Sequence, residues 1–92
     1  MILPTIHLNG SAKSSLIDDI TNAAWKLRQA RTSLENMYPN ERDYYPQGSA
    51  AYQQAREEHD ARIRKVTEVM KELEQLAVAI DALGENRNRG AA

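Results

Sequence analysis

Apolar residues recur at Leu16, Ile20, Ala23, Leu27, Ala30, Leu34 and Met37, in steps that alternate between four and three. Such heptad spacing keeps one narrow stripe of a helix against a neighbour. A second run, Tyr52, Ala55, His59, Ile63, Val66, Met70, Leu73, Ala77 and Ile80, again advances by threes and fours. Strands need period two, and neither run has it. Two long helices are therefore predicted, over 11–37 and 49–84. Ile17, Ala24 and Trp25 flank the first stripe, and Leu76 and Leu83 flank the end of the second. That extra width predicts burial against more than one partner helix.

The two runs are separated by a turn-rich window. All four tyrosines (Tyr38, Tyr44, Tyr45 and Tyr52) fall between positions 38 and 52, with two of the three prolines. The residue before a proline is pushed out of the helical region, so Tyr38-Pro39 ends the first helix. Pro46 and Gly48 shape the connection, and Ser49 is placed to cap the second helix. A tip over 38–48 folds the helices back on each other as a long antiparallel hairpin. At 1.5 Å per residue the helices would be roughly 40 and 54 Å long, so the second overshoots the first by about two turns.

Residues 1–10 form an arm at the end where cover is needed. Ile2, Ile6 and Leu8 alternate with Leu3, Thr5, His7 and Asn9, which predicts a short extended segment confined to an edge by Pro4. Asn9-Gly10 breaks it, and Ser11 is a good N-cap, with Ser14 or Ser15 available for a later start. The arm would cover the overhang at Leu76, Ala77, Ile80 and Leu83, in its own chain or a neighbour. Gly84 is a natural stop, and the tail over 85–92 has no apolar anchor and is expected to be disordered.

Ninety-two residues allow one small domain. Two helices alone leave much apolar surface wet, so a homo-oligomer is expected, most simply a four-helix bundle from two hairpins. The net charge of −1 supplies no electrostatic footprint for DNA or RNA. With no cysteine there is no disulfide or thiolate metal site. No apolar run approaches the roughly 20 residues that span a bilayer, and MILPTIHLNG is too short and interrupted for a signal peptide, so a cytoplasmic protein is the expectation. No nucleophile–base constellation, paired-carboxylate motif or cofactor fingerprint appears, which argues against an enzyme and against a cofactor.

Three places could carry binding. At the tip, Tyr44 and Tyr45 could stack a planar ligand, Arg42 could pair with a phosphate and Gln47 could read a base edge. The plainer reading makes these tyrosines a lid over the bundle end. At the arm, Asn9, Ser11 and Lys13 stand where a glycine leads into a helix start, a ready anion site, although ordinary capping accounts for them too. Within one hairpin the two groups lie at opposite ends and share a site only if a neighbour packs head to tail. His59 falls on the second stripe and reads as a hydrogen-bonded core histidine rather than a metal ligand, because no HxxxH partner exists. Arg56, Arg62, Arg64 and Lys65 interleave with Glu57, Glu58, Asp60 and Glu68, which predicts intrahelical ion pairs. Trp25 reads as an interface anchor.

The segments IHLNGSAKSSL (6–16), RDYYPQG (42–48) and AYQQAREEHDARI (51–63) resemble a group of small, largely uncharacterised bacteriophage and prophage proteins. The resemblance implies a phage origin and a compact helical protein. In size, hairpin plan and expected assembly the chain is also similar to phage anti-defence sponges, which sequester cyclic nucleotides or ADP-ribose-type signals. That likeness implies a non-catalytic binder of a nucleotide-like ligand in the host cytoplasm. The residues expected to bind it, Arg42, Tyr44, Tyr45, Gln47, Asn9, Ser11 and Lys13, follow from the chemistry of the tip and the arm and not from the likeness. The alternative is a protein–protein interaction module that inhibits a host protein or serves in virion assembly. An enclosed pocket would favour the sponge, a convex exposed tip the module.

Overall fold

The computed structural model describes residues 1–84, and the predicted disordered tail lies outside them. It is all-helical: α1 spans Lys13–Asn36 and α2 spans Ser49–Asp81, packed against each other as an antiparallel hairpin. No strand occurs among the described residues. The hairpin is long and thin, with a radius of gyration of 20.4 Å. A compact domain of this length has a radius of about 12 Å.

The packed stripe of α1 differs from the predicted one by one residue at alternate positions. Ala24, Arg31 and Tyr38 are half-buried, whereas Ala23, Ala30 and Met37 are exposed. Leu16, Ile20, Leu27 and Leu34 serve either frame. The stripe used is thus Ile17, Ile20, Ala24, Leu27, Arg31, Leu34 and Tyr38, also in steps of three and four. Alanine is too small to hold a frame against arginine and tyrosine, whose long apolar stems cover more surface. The Arg31 Nη1 donates to Thr67 Oγ1 across the interface at 3.4 Å, and Thr67 donates to the Ile63 carbonyl. A polar pair at a packed position sets helix register more sharply than interchangeable apolar contacts do. On α2 the fully buried residues are His59, Met70 and Ile80.

Both N-caps depart from expectation. Ala12, not Ser11, precedes α1 and no side chain caps it; Gly48, not Ser49, precedes α2. Gly48 has φ +100° and ψ 163°, a region open essentially only to glycine, and a Cβ added there would meet no atom within 4 Å. Gly48→Ala is therefore a pure backbone-strain test. It is expected to cost about 1–3 kcal/mol in a thermal melt, and a loss below about 0.5 kcal/mol would refute the strain.

The arm is irregular rather than extended with two alternating faces. Leu3 is half-buried and Ile6 is 2% exposed, while Ile2 and Leu8 face solvent. One side is thus reached by residues three apart, a spacing that period two forbids. Ile80 is also 2% exposed, and Leu76 and Leu83 on its side of α2 are half-buried, as expected if the arm lies across the overhang of its own chain. Lys13 ties the two ends together, its Nζ donating to the Leu83 carbonyl at 2.8 Å. The arm turns into α1 through a bond from Gly10 N to the His7 carbonyl, and a Cβ on Gly10 would stand 2.7 Å from the His7 ring.

Candidate functional site

The tip is ordered by short-range bonds. Asn40 Oδ1 accepts from the Arg42 amide at 3.1 Å and opens a 3-10 turn over Glu41–Asp43; a second, over Tyr45–Gln47, is begun by Pro46. These two turns fold the chain back over the first turns of α2. Tyr44 is thereby half-buried, with its ring 6.3 Å from that of Tyr52, and Arg56 lies over the other aromatic, 5.6 Å from the Tyr52 ring centre. The Tyr38 hydroxyl, by hydrogen bonding, and the nearby Tyr52 hold the Arg56 guanidinium above its ordinary pKa. Arg56 is a fixed cation on the outer surface.

Behind the tip, His59 is 1% exposed and joins the helices. Its Nε2 bonds to the Leu34 carbonyl and its Nδ1 lies 3.3 Å from Arg62 Nη1. A carbonyl only accepts and a guanidinium only donates, so in these contacts Nε2 is the donor to Leu34 and Nδ1 the acceptor from Arg62. Leu34 lies in the last turn of α1, where carbonyls lack intrahelical partners, and His59 supplies one from the other helix. Both ring nitrogens are thus engaged by protein, and no cluster of metal-ligating groups occurs among the described residues. The Tyr38 ring meets the His59 ring edge-on at 5.5 Å, and the Tyr38 hydroxyl donates to Asp60 Oδ1 at 2.8 Å.

Between tip and α2 lies a groove of about 440 Å³, open on one side. Tyr38, Tyr44 and Gln47 line it, with Asp43, Glu58 and Arg62 as its charges. Of the four tip residues expected to form a binding wall, the fold brings together Tyr44 and Gln47. Arg42 and Tyr45 do not line the groove, and Tyr45 is 69% exposed. Sequence reading missed Arg62, Glu58 and Tyr38, the first two assigned to intrahelical ion pairs and the third to a helix end. Their signal was spacing: Tyr52, Ala55, Glu58, His59 and Arg62 recur at helical intervals beside the tip.

The second expected group does not join them. Asn9 lies in the turn before α1, Ser11 is exposed and caps nothing, and the Lys13 ammonium is engaged by Leu83. A full length of α1, roughly 36 Å, separates Lys13 from the tip. The interleaved charges of α2 also behave differently from expectation. Among the described residues the one ion pair is Arg31 with Glu35 at 3.9 Å on α1, while Arg56 and Arg62 turn to Tyr52 and His59. No helix of the described residues is long and apolar enough to cross a membrane.

No protein-family model, curated protein or solved structure matches the chain. The groove's own chemistry is what bears on function.

Proposed function

We propose that this is a non-catalytic, self-associating helical-hairpin protein of phage origin, acting in the bacterial cytoplasm by presenting its tip to a protein partner. The observation that carries this reading is the charge of the groove: two carboxylates, Asp43 and Glu58, stand against one guanidinium, Arg62. A ligand with two or three phosphates needs several cations, and here Arg42 stands outside and Lys13 is at the far end of the molecule. A protein segment suits the groove better. An apolar side chain would lie on Tyr38 and Tyr44, an amide would bond Gln47, and a basic group would reach Asp43 and Glu58. The protruding Tyr45, with its flat ring and hydroxyl, is the type of residue that anchors such interfaces.

One observation favours the second reading, a sponge for a cyclic nucleotide or ADP-ribose-type ligand. Two tyrosine rings and the Gln47 amide do face a concave space within the size range of small-molecule sites. One experiment separates the two. A photo-crosslinking residue is placed at Gln47, and the protein is also presented to a panel of cyclic nucleotides and ADP-ribose derivatives in native mass spectrometry. The expected result is one defined host-protein adduct, lost in Tyr44→Ala, and no ligand mass. Ligand mass that disappears in Tyr44→Ala would replace this reading with the sponge.

A further inference from the structure

The hairpin has a second groove, of about 220 Å³, on its other side. Its floor is Ile20, Ala24, Leu73 and Ala77, and its rim is Trp25 and Arg28 from α1 and Glu74 from α2. Trp25, the single tryptophan, is 55% exposed. Val78, next along the same side of α2, is 71% exposed. An open tryptophan beside an apolar groove is an unfinished interface.

Two quantities indicate what finishes it. The chain exposes 6895 Å², whereas a compact monomer of 10.4 kDa exposes about 5,400 Å². The difference, on the order of 1,500 Å², is spread over the whole elongated chain. Covering a face of it by the roughly 800 Å² that each partner contributes to a standard interface would bring the hairpin closer to the exposure of a compact protein. The rim charges supply the second. Arg28 and Glu74 stand at one level of the hairpin, on opposite helices, and neither is in an ion pair among the described residues.

We propose that a second copy of this chain docks on the Trp25 face, with a two-fold axis parallel to the helices. This operation sets α1 of each copy on α2 of the other, so Arg28 meets Glu74 of the partner subunit twice. The two Trp25 rings close over the combined groove floors. A two-fold axis perpendicular to the helices and passing through this groove would instead lay α1 on α1 and bring like charges at Arg28 together. The parallel arrangement has a functional consequence. Glu58 in the tip groove and Glu74 at this face lie roughly 160° apart around α2 at 3.6 residues per turn. Both tip grooves therefore stay outward, at the same end of the dimer, and bind as a pair. A partner offering two copies of its epitope would be held with the avidity of linked sites.

This rests on the self-association proposed above, and the test keeps the two separable. Arg28→Glu and Glu74→Arg are made singly, checked for helicity by far-UV circular dichroism, and compared with wild type by analytical ultracentrifugation and Trp25 fluorescence. Wild type is expected to dimerise with a blue-shifted emission that tracks its mass. Each variant alone places like charges opposite each other twice and should dimerise roughly tenfold more weakly. Mixed, the two variants regain both opposite-charge pairs, and native mass spectrometry should show the heterodimer in preference to either homodimer. A wild type that stays monomeric overturns both self-association and this face. Single variants that associate as wild type does, with unchanged emission, overturn the face and leave self-association standing. Weakened variants that mixing does not rescue overturn the parallel pairing.

Discussion

Met70→Asp is expected to abolish the folded hairpin at room temperature. Met70 is 4% exposed and sits near the middle of α2, on the side that packs against α1. A carboxylate there must either stay charged and desolvated or take up a proton, at a cost of several kcal/mol. A domain of this size has a total stability of roughly 4–13 kcal/mol. The hairpin belongs at the low end, because Ile6, Met70 and Ile80 are its only fully buried apolar residues among those described. Far-UV circular dichroism should therefore show no cooperative melt for Met70→Asp. Met70→Leu, which conserves volume, should stay within about 1.5 kcal/mol of wild type. A Met70→Asp protein that melts within a few degrees of wild type would show that the two helices do not pack as described.

The second large effect is expected at His59. Truncation to alanine removes the donor to the Leu34 carbonyl and the surface on which the Tyr38 ring rests. A buried carbonyl left without a partner costs about 1–3 kcal/mol, and the lost ring volume adds to it, so His59→Ala should cost about 3 kcal/mol or more in urea unfolding. His59→Leu restores volume but not the hydrogen bond, and should recover only part of this loss. Tyr38→Phe removes only the hydroxyl's exposed bond to Asp60 and its contact with the exposed Arg56, and should cost below about 1 kcal/mol. If His59→Leu were as stable as wild type, the hydrogen bond to α1 would contribute nothing and the ring would be mere filler.

His59 also shows where sequence reading stops. Its place on an apolar stripe marked it as a core histidine, and it is one. What it bonds to was invisible, because the carbonyl belongs to another helix twenty-five residues away. Lys13 is the counterpart at the other end. Its position after a glycine suggested an anion site, yet its ammonium reaches the chain just past α2. The Leu34 carbonyl in the last turn of α1 and the Leu83 carbonyl just beyond α2 are thus each served by a side chain from the other helix. Helix ends leave carbonyls unpaired wherever they occur, but only the antiparallel register decides which side chain arrives there.

The same division runs through the rest of the molecule. The spacing of Leu16, Ile20, Leu27 and Leu34, with Tyr52 to Ile80 beyond a proline-containing window, determined an all-helical hairpin, because periodicity is local and needs no partner. It also placed the tip within a residue or two. The frame of the α1 stripe was decided by tertiary packing, since alanines at 23, 24 and 30 satisfy either frame and Arg31 must meet Thr67. The candidate site divided likewise. Tyr44 and Gln47 were legible as turn residues with binding chemistry. Arg62 and Glu58 entered the groove, and Arg42 and Tyr45 left it, only when two 3-10 turns folded the tip over α2. Turn geometry depends on a few backbone angles with small energy differences, whereas a heptad stripe sums many contacts in one direction.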